Sequence, residues 1–262
     1  MAVRSSSSIT NPALKKMSDF NRSVFDKDNV ASYKGIAVKT LYFLIAFCFG
    51  MGVYFYVENH FSSADPTILT KLFFGALILD TVSGIAASLI PSACAILGTV
   101  YSICEGYFLT WMSIEIGEQY KGIIIEALAL TILIIGVMAF LYASKIVKVT
   151  ERSKAILLTC LIVSFLGSFS YFLLGYFAPD SEIYMLITTL NFGPIGILLA
   201  VLGVALAAFL LVDDFDFIAK TVETGMDKKY EWYASYGLIV GVIYLFVKVL
   251  RLLTLIYNRK DS

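Results

Sequence analysis

The chain has 262 residues, 59% of them apolar, with 20 basic and 20 acidic side chains. A soluble domain is roughly 45–50% apolar; the excess here lies in long uninterrupted runs, which points to lipid as the solvent, and the balanced charge argues against a nucleic-acid partner. The one histidine, His60, lies in a turn-rich stretch (ENHFSSADP), so a His-ligated zinc site, a Ser–His pair and a bis-His haem are excluded and no enzyme activity is expected.

Residues 1–35 form a polar, basic arm whose first apolar run begins too late for a secretory signal. Asn11 can cap a helix with Pro12 at its first position, and Leu14, Met17, Asn21, Val24 and Phe25 follow at helical spacing. With Lys15, Lys16 and Arg22 alongside, this reads either as a short amphipathic helix on the inner membrane surface or as a frayed basic tail. Seven apolar runs follow, at 36–57, 69–90, 93–112, 122–143, 155–177, 192–212 and 236–256. Each has the ~20 residues needed to cross a ~30 Å hydrocarbon layer. Only helices satisfy their own backbone there, so the expected fold is an all-α membrane protein, a seven-transmembrane-helix bundle over 36–257 with a polar tail at 258–262. Pro91 forces a turn between the second and third runs, and Pro194 suits the first turn of the sixth. The four cysteines all sit in apolar runs and read as small buried residues. Small residues four apart (Gly84/Ser88, Ser164/Ser168, Gly203/Ala207, Gly237/Gly241) suggest close helix packing.

Lysines and arginines concentrate in the arm, in the loop after the fourth run and in the loop after the sixth, which places all three in the cytoplasm. Seven crossings then put the C-terminus outside. Arg259 and Lys260 mildly oppose that, and a re-entrant sixth or seventh run would return the tail to the cytoplasm.

Charged side chains inside the runs are costly, ~3 kcal/mol each at the bilayer centre, so they mark function. Those that stand out, inside the runs or at their ends, are Asp80, Glu105, Glu126, Asp213, Asp214, Asp216, Lys248 and Arg251. Asp80 and Glu105 suggest an interior polar path. Glu126, one turn from Lys121, reads as a solvated helix end. Asp213, Asp214 and Asp216 in LLVDDFDFIAK gather three carboxylates; at 100° per residue Asp213 and Asp216 share a face while Asp214 points elsewhere. Crowded carboxylates in a partly dry site repel, which makes the cluster proton-sensitive and attractive to Ca2+, with Asp214 and Asp216 as the candidate ligands. Asp216 and Lys220 are also spaced for a surface ion pair, and the run end can instead be a solvated helix terminus. Arg251 suits snorkelling to the outer interface; Lys248 can snorkel or pair with Glu105 or Glu126.

The stretch LVDDFDFIAKTVETGMDKKYEWYASYGLIVGVIYLFVKVLRLL resembles the C-terminal signature of the Bax inhibitor-1 family. Asn11 to Leu14, the pair Glu105-Gly106, Tyr120-x-Gly122 and a helix bearing Thr131 resemble its bacterial branch. The resemblance implies seven helices, a cytoplasmic N-terminus, a bacterial plasma-membrane location and a pH-sensitive Ca2+ leak without a resident cofactor. It further implies a gate in which an aspartate at the end of helix six, matching Asp214 when Gly225 and Trp232 are aligned, pairs with one in helix seven; Asp216 is the neighbouring candidate. The helix-seven acidic positions fall near Tyr236 and Val240, which are neutral, and Lys248 stands where that branch tends to carry glutamate. The sensor is then either the Asp213–Asp214–Asp216 cluster itself or an Asp-to-Lys or Asp-to-Tyr latch.

Three other functions compete. One is a non-transporting scaffold or regulator of membrane-protein partners, monomeric or weakly oligomeric, using the arm and Gly237/Gly241. Another is a retinal protein with a Schiff base on Lys248 and Glu105 as counter-ion. The weakest is an intramembrane protease built on Asp80 and Asp214.

Overall fold

A computed structural model describes residues 30–61, 66–120, 122–147 and 149–260. Among them the chain forms eight helices and no strand: α1 (Tyr33–Phe61), α2 (Pro66–Leu89), α3 (Cys94–Gln119), α4 (Ile123–Ala143), α5 (Glu151–Phe177), α6 (Glu182–Phe192), α7 (Pro194–Glu223) and α8 (Lys229–Lys260). The amphipathic segment expected at 11–25 lies outside the described residues.

Seven of these helices carry the seven apolar runs. Pro91 separates α2 from α3, and Pro194 opens α7, where its missing N–H costs nothing. Thr150 and Ser153 cap α5 reciprocally, with Ser153 N–H donating to Thr150 Oγ1 at 3.2 Å and Thr150 N–H to Ser153 Oγ at 2.8 Å. Helix α6 is the addition. Ser181 accepts the Tyr184 N–H at 3.2 Å to start it, and Tyr171 of α5 holds it by stacking on Tyr184 and bonding Thr188 at 3.1 Å. With 11 residues, α6 is too short to cross a membrane. His60, expected in a loop, closes the last turn of α1, its ring stacked on Tyr56 one turn back.

Six helices are long and apolar enough to cross a membrane: α1, α2 over 72–89, α4, α5, α7 and α8. Helix α3 has 26 residues and is not among the six. It packs against α1, α2 and α8, so its polar Ser102 and Thr110 face protein. Both hydroxyls donate to the carbonyl four residues back, which satisfies them inside their own helix. Helices α1 and α3 approach backbone to backbone. A side chain on Gly50 would strike the Ile103 carbonyl, and one on Gly106 the Phe47 carbonyl.

Helix α8 is the hub, packing against α1, α3, α4 and α7. Its Leu245, Val249 and Leu250 are fully buried with Ile123, Ala127, Ala207 and Leu211 of α4 and α7. Tyr236, Ile239 and Ile243 join Phe43, Ala87 and Cys94 on the other side. Helix α5 lies at the edge, packed mainly against α6 and α7, and most of its large apolar side chains are exposed. In lipid that exposure costs nothing, because acyl chains are as apolar as leucine.

Successive long helices alternate in direction along the chain. The starts of α1 and α8 meet at Ser32 and Glu231, whereas the start of α4 meets the end of α8 at Glu126 and Tyr257. The loops after α4 and α7 therefore lie with residue 30 at one end, here called the basic end. There Gly225, at φ +65°, reverses the chain after α7, and the Met226 carbonyl accepts the Ala31 N–H at 2.8 Å.

Candidate functional site

Helix α7 continues past the expected end at Val212 to Glu223, so the three aspartates lie within a helix that is packed on both sides. The 100° periodicity splits them as expected. Asp214 faces α8, where its two carboxylate oxygens sit over Gly237 and Gly241. A Cβ on Gly237 would lie 3.3 Å from Oδ1, and one on Gly241 would fall on Oδ2. The two glycines thus form the seat of a carboxylate, and this contact occupies the surface that a scaffold reading assigned to partners. Their N–H groups serve the helix, and among the described residues no lysine or arginine lies within ion-pair distance of Asp214. No cation among the described residues compensates this carboxylate when it is charged.

Asp213 and Asp216 face α5. Lys154 at the start of α5 lies 3.1 Å from Asp213 and 3.8 Å from Asp216, and Lys220 completes the i, i+4 pair with Asp216 at 2.7 Å. These two acids are balanced by cations and tie α5 to α7. The structure does not bring Asp214 and Asp216 together, so the expected two-aspartate Ca2+ seat is not built. Among the described residues no group of three or more His, Cys, Asp or Glu is arranged to hold a metal ion.

Asp80 and Glu105 do meet. Their carboxyl groups face each other across the α2–α3 seam, and Asp80 Oδ1 is sealed from water without a complete hydrogen bond of its own. Gly84, one turn beyond Asp80, makes this possible. A side chain there would stand 3.0 Å from the Tyr101 ring, and its carbonyl accepts the Tyr236 hydroxyl at 2.9 Å. Tyr101 and Tyr236 pack edge to face at 5.4 Å beside the pair. The position matched to a helix-seven acid is therefore a tyrosine whose hydroxyl donates to Gly84, on the α2–α3 side of α8, while Asp214 lies over Gly237 and Gly241.

Glu126 accepts the Tyr257 hydroxyl through both oxygens, at 2.8 and 2.9 Å, at the exposed start of α4. It is a helix-end group and not an interior one. Lys248 reaches neither Glu105 nor Glu126. Its amine donates to Ser164 of α5 at 3.4 Å and lies 4.9 Å over the Tyr244 ring. The retinal reading thereby loses its counter-ion. Arg251 donates to Asn191 at the end of α6, at 3.3 Å.

One charged cluster escaped the sequence pattern. Glu231, 1% exposed at the start of α8, accepts from Lys39 and from the N–H and hydroxyl of Ser32, at 2.8 and 3.1 Å. Lys39 also lies 5.1 Å over the Trp232 ring, and Ser235 donates to the Ile36 carbonyl at 2.8 Å. The start of α1 is thus clipped to the start of α8, and Gly35 leaves the room for the Glu231 carboxylate. Lys39, a charge inside the run 36–57, was the visible signal. Glu231 was hidden because α8 begins seven positions before the apolar run that marks it.

A bundle of apolar helices with acids held on two sides of a central helix defines an integral membrane protein that keeps charge in its interior. A family model described as Bax inhibitor 1 like matches residues 11–258, and the chain belongs to that family. No curated protein shows significant similarity to it.

Proposed function

We propose that this chain is a pH-sensitive cation leak, with Ca2+ the favoured ion, and that Asp214 is the titrating part of a closure between α7 and α8 at the basic end. The observation that carries this reading is the Asp214 carboxylate set over Gly237 and Gly241 with no cation beside it. Parting α7 from α8 must release that carboxylate, so the cost of parting depends on whether the group is charged. Asp213 and Asp216 are held by Lys154 and Lys220 and serve to keep α5 against α7. Asp80 and Glu105 form a second acidic station on the far side of α8. The reading takes α3 as a seventh crossing, because α3 joins α2 to α4 across the full height of the bundle. It places the arm and the basic end in the cytoplasm of a bacterial cell, supported by the lysines and arginines of the arm and of the loops after α4 and α7.

The test is Ca2+ efflux from liposomes holding the purified chain. Efflux above that of empty vesicles between about pH 6 and pH 8, altered by Asp214→Asn, is the expected result. Efflux no greater than that of empty vesicles throughout overturns the reading.

A further inference from the structure

We propose that Lys248 and Ser164 form a small-anion site at mid-membrane, where α5, α7 and α8 meet, with a halide such as chloride as its ligand. Lys248 donates one of its N–H bonds to Ser164 Oγ at 3.4 Å, and its stem lies against Gly203 of α7, where a Cβ would stand 3.4 Å from Lys248 Cδ. The Tyr244 ring takes one face of the amine at 4.9 Å. What the site lacks is an acceptor. Among the described residues no carboxylate lies within ion-pair distance of Lys248, and the other lysines with such partners, Lys39, Lys154, Lys220 and Lys229, are all elsewhere. The Ser164 hydroxyl accepts from Lys248, yet its own proton has no acceptor among the described residues. Thr159, five positions earlier on the same helix, spends its proton on the Ala155 carbonyl at 2.8 Å.

An ammonium and a hydroxyl that share one spot, both with donors to spare, match a monatomic anion. Charge inside a membrane is retained where it is paired, and here the pair must come from outside the chain. The depth selects the ligand. Ser164 stands at the midpoint of α5 (Glu151–Phe177), about 20 Å from either end at ~1.5 Å per residue, so a lipid phosphate at the headgroup level does not reach it. Both residues are half-buried. The site is independent of whether the chain conducts Ca2+.

The experiment is thermal unfolding of the full chain in lipid nanodiscs, titrated with sodium chloride against sodium gluconate at equal ionic strength. A saturable rise, about 4 °C at tenfold excess over Kd, is expected in chloride and not in gluconate. Lys248→Arg keeps the rise, Ser164→Ala shrinks it and Lys248→Met abolishes it. No chloride-specific rise in the wild-type chain overturns the proposal, and so does a rise of wild-type size in Lys248→Met. Should Lys248→Met not fold, the wild-type and Ser164→Ala titrations decide by the same criteria.

Discussion

Gly241→Ala isolates the contact on which the proposed closure depends. In a helix interior, alanine normally exceeds glycine by ~1 kcal/mol. Gly136 of α4 supplies that reference, since a Cβ there meets nothing within 4 Å. At Gly241 the new methyl falls on Asp214 Oδ2, with Leu211 Cδ1 at 3.5 Å behind it. Aspartate has only two side-chain torsions, and Gly237 already confines its other oxygen at 3.3 Å. The carboxylate must therefore rotate out of its seat or the helices must separate. Overpacking of this kind costs about 1–3 kcal/mol, so Gly241→Ala should end about 2 kcal/mol below Gly136→Ala in stability. Truncating the carboxylate restores the space. In an Asp214→Ala background the same methyl should be neutral or stabilising, giving a coupling of about 1–3 kcal/mol between the two positions. Reversible unfolding in mixed micelles measures all four corners of the cycle. Equal effects of Gly241→Ala and Gly136→Ala would show that Asp214 does not occupy the glycine seat, and the proposed closure would lose its basis.

Gly106→Ala should be more damaging, about 3 kcal/mol or more, because its methyl meets the Phe47 carbonyl and not a side chain that can turn; unfolding at or above the stability of Gly241→Ala would contradict the α1–α3 contact. Lys39→Met leaves the Glu231 carboxylate buried without its cation and should cost about 3–5 kcal/mol, most of it recovered in the Lys39→Met, Glu231→Gln double variant. A double variant no more stable than Lys39→Met would mean that the clip holds by packing alone. Labels attached ahead of α1 and after α8 should be modified from opposite sides of sealed vesicles, as seven crossings require; modification from the same side would remove α3 or another helix from the membrane.

Hydropathy made the long helices legible because lipid marks each run by its solvent, and prolines placed two of the boundaries to within a residue or two. It misjudged helix ends. Helix α7 runs on past its apolar stretch and α8 begins ahead of its own, so the aspartates of α7 stood at the edge of a run and Glu231 of α8 drew no reading. Helix α6 was invisible for a related reason: its eleven residues are held by Tyr171 and a serine cap, neither of which alters hydropathy. Within the site, local periodicity separated Asp214 from Asp213 and Asp216, since that depends only on helix geometry. Which partner each acid meets depends on contacts between distant segments. Lys154 beside Asp213, Tyr236 beside the Asp80–Glu105 pair and Ser164 beside Lys248 left no local trace. The small-residue pairs behaved likewise. Gly237 and Gly241 stood out by spacing but their use as a carboxylate seat did not, and Gly50 and Gly106, where two backbones meet, lie on different helices and form no motif.

The central claim, that Asp214 makes the α7–α8 closure proton-sensitive, is tested most directly by the pH profile of Ca2+ efflux from liposomes containing wild-type chain, Asp214→Asn or Asp213→Asn. The account predicts a pH-dependent efflux in the wild type, a profile flattened across about pH 6 to pH 8 in Asp214→Asn, and a retained pH dependence in Asp213→Asn, whose carboxylate faces Lys154. An Asp214→Asn profile that follows the wild type in both amplitude and midpoint would contradict it.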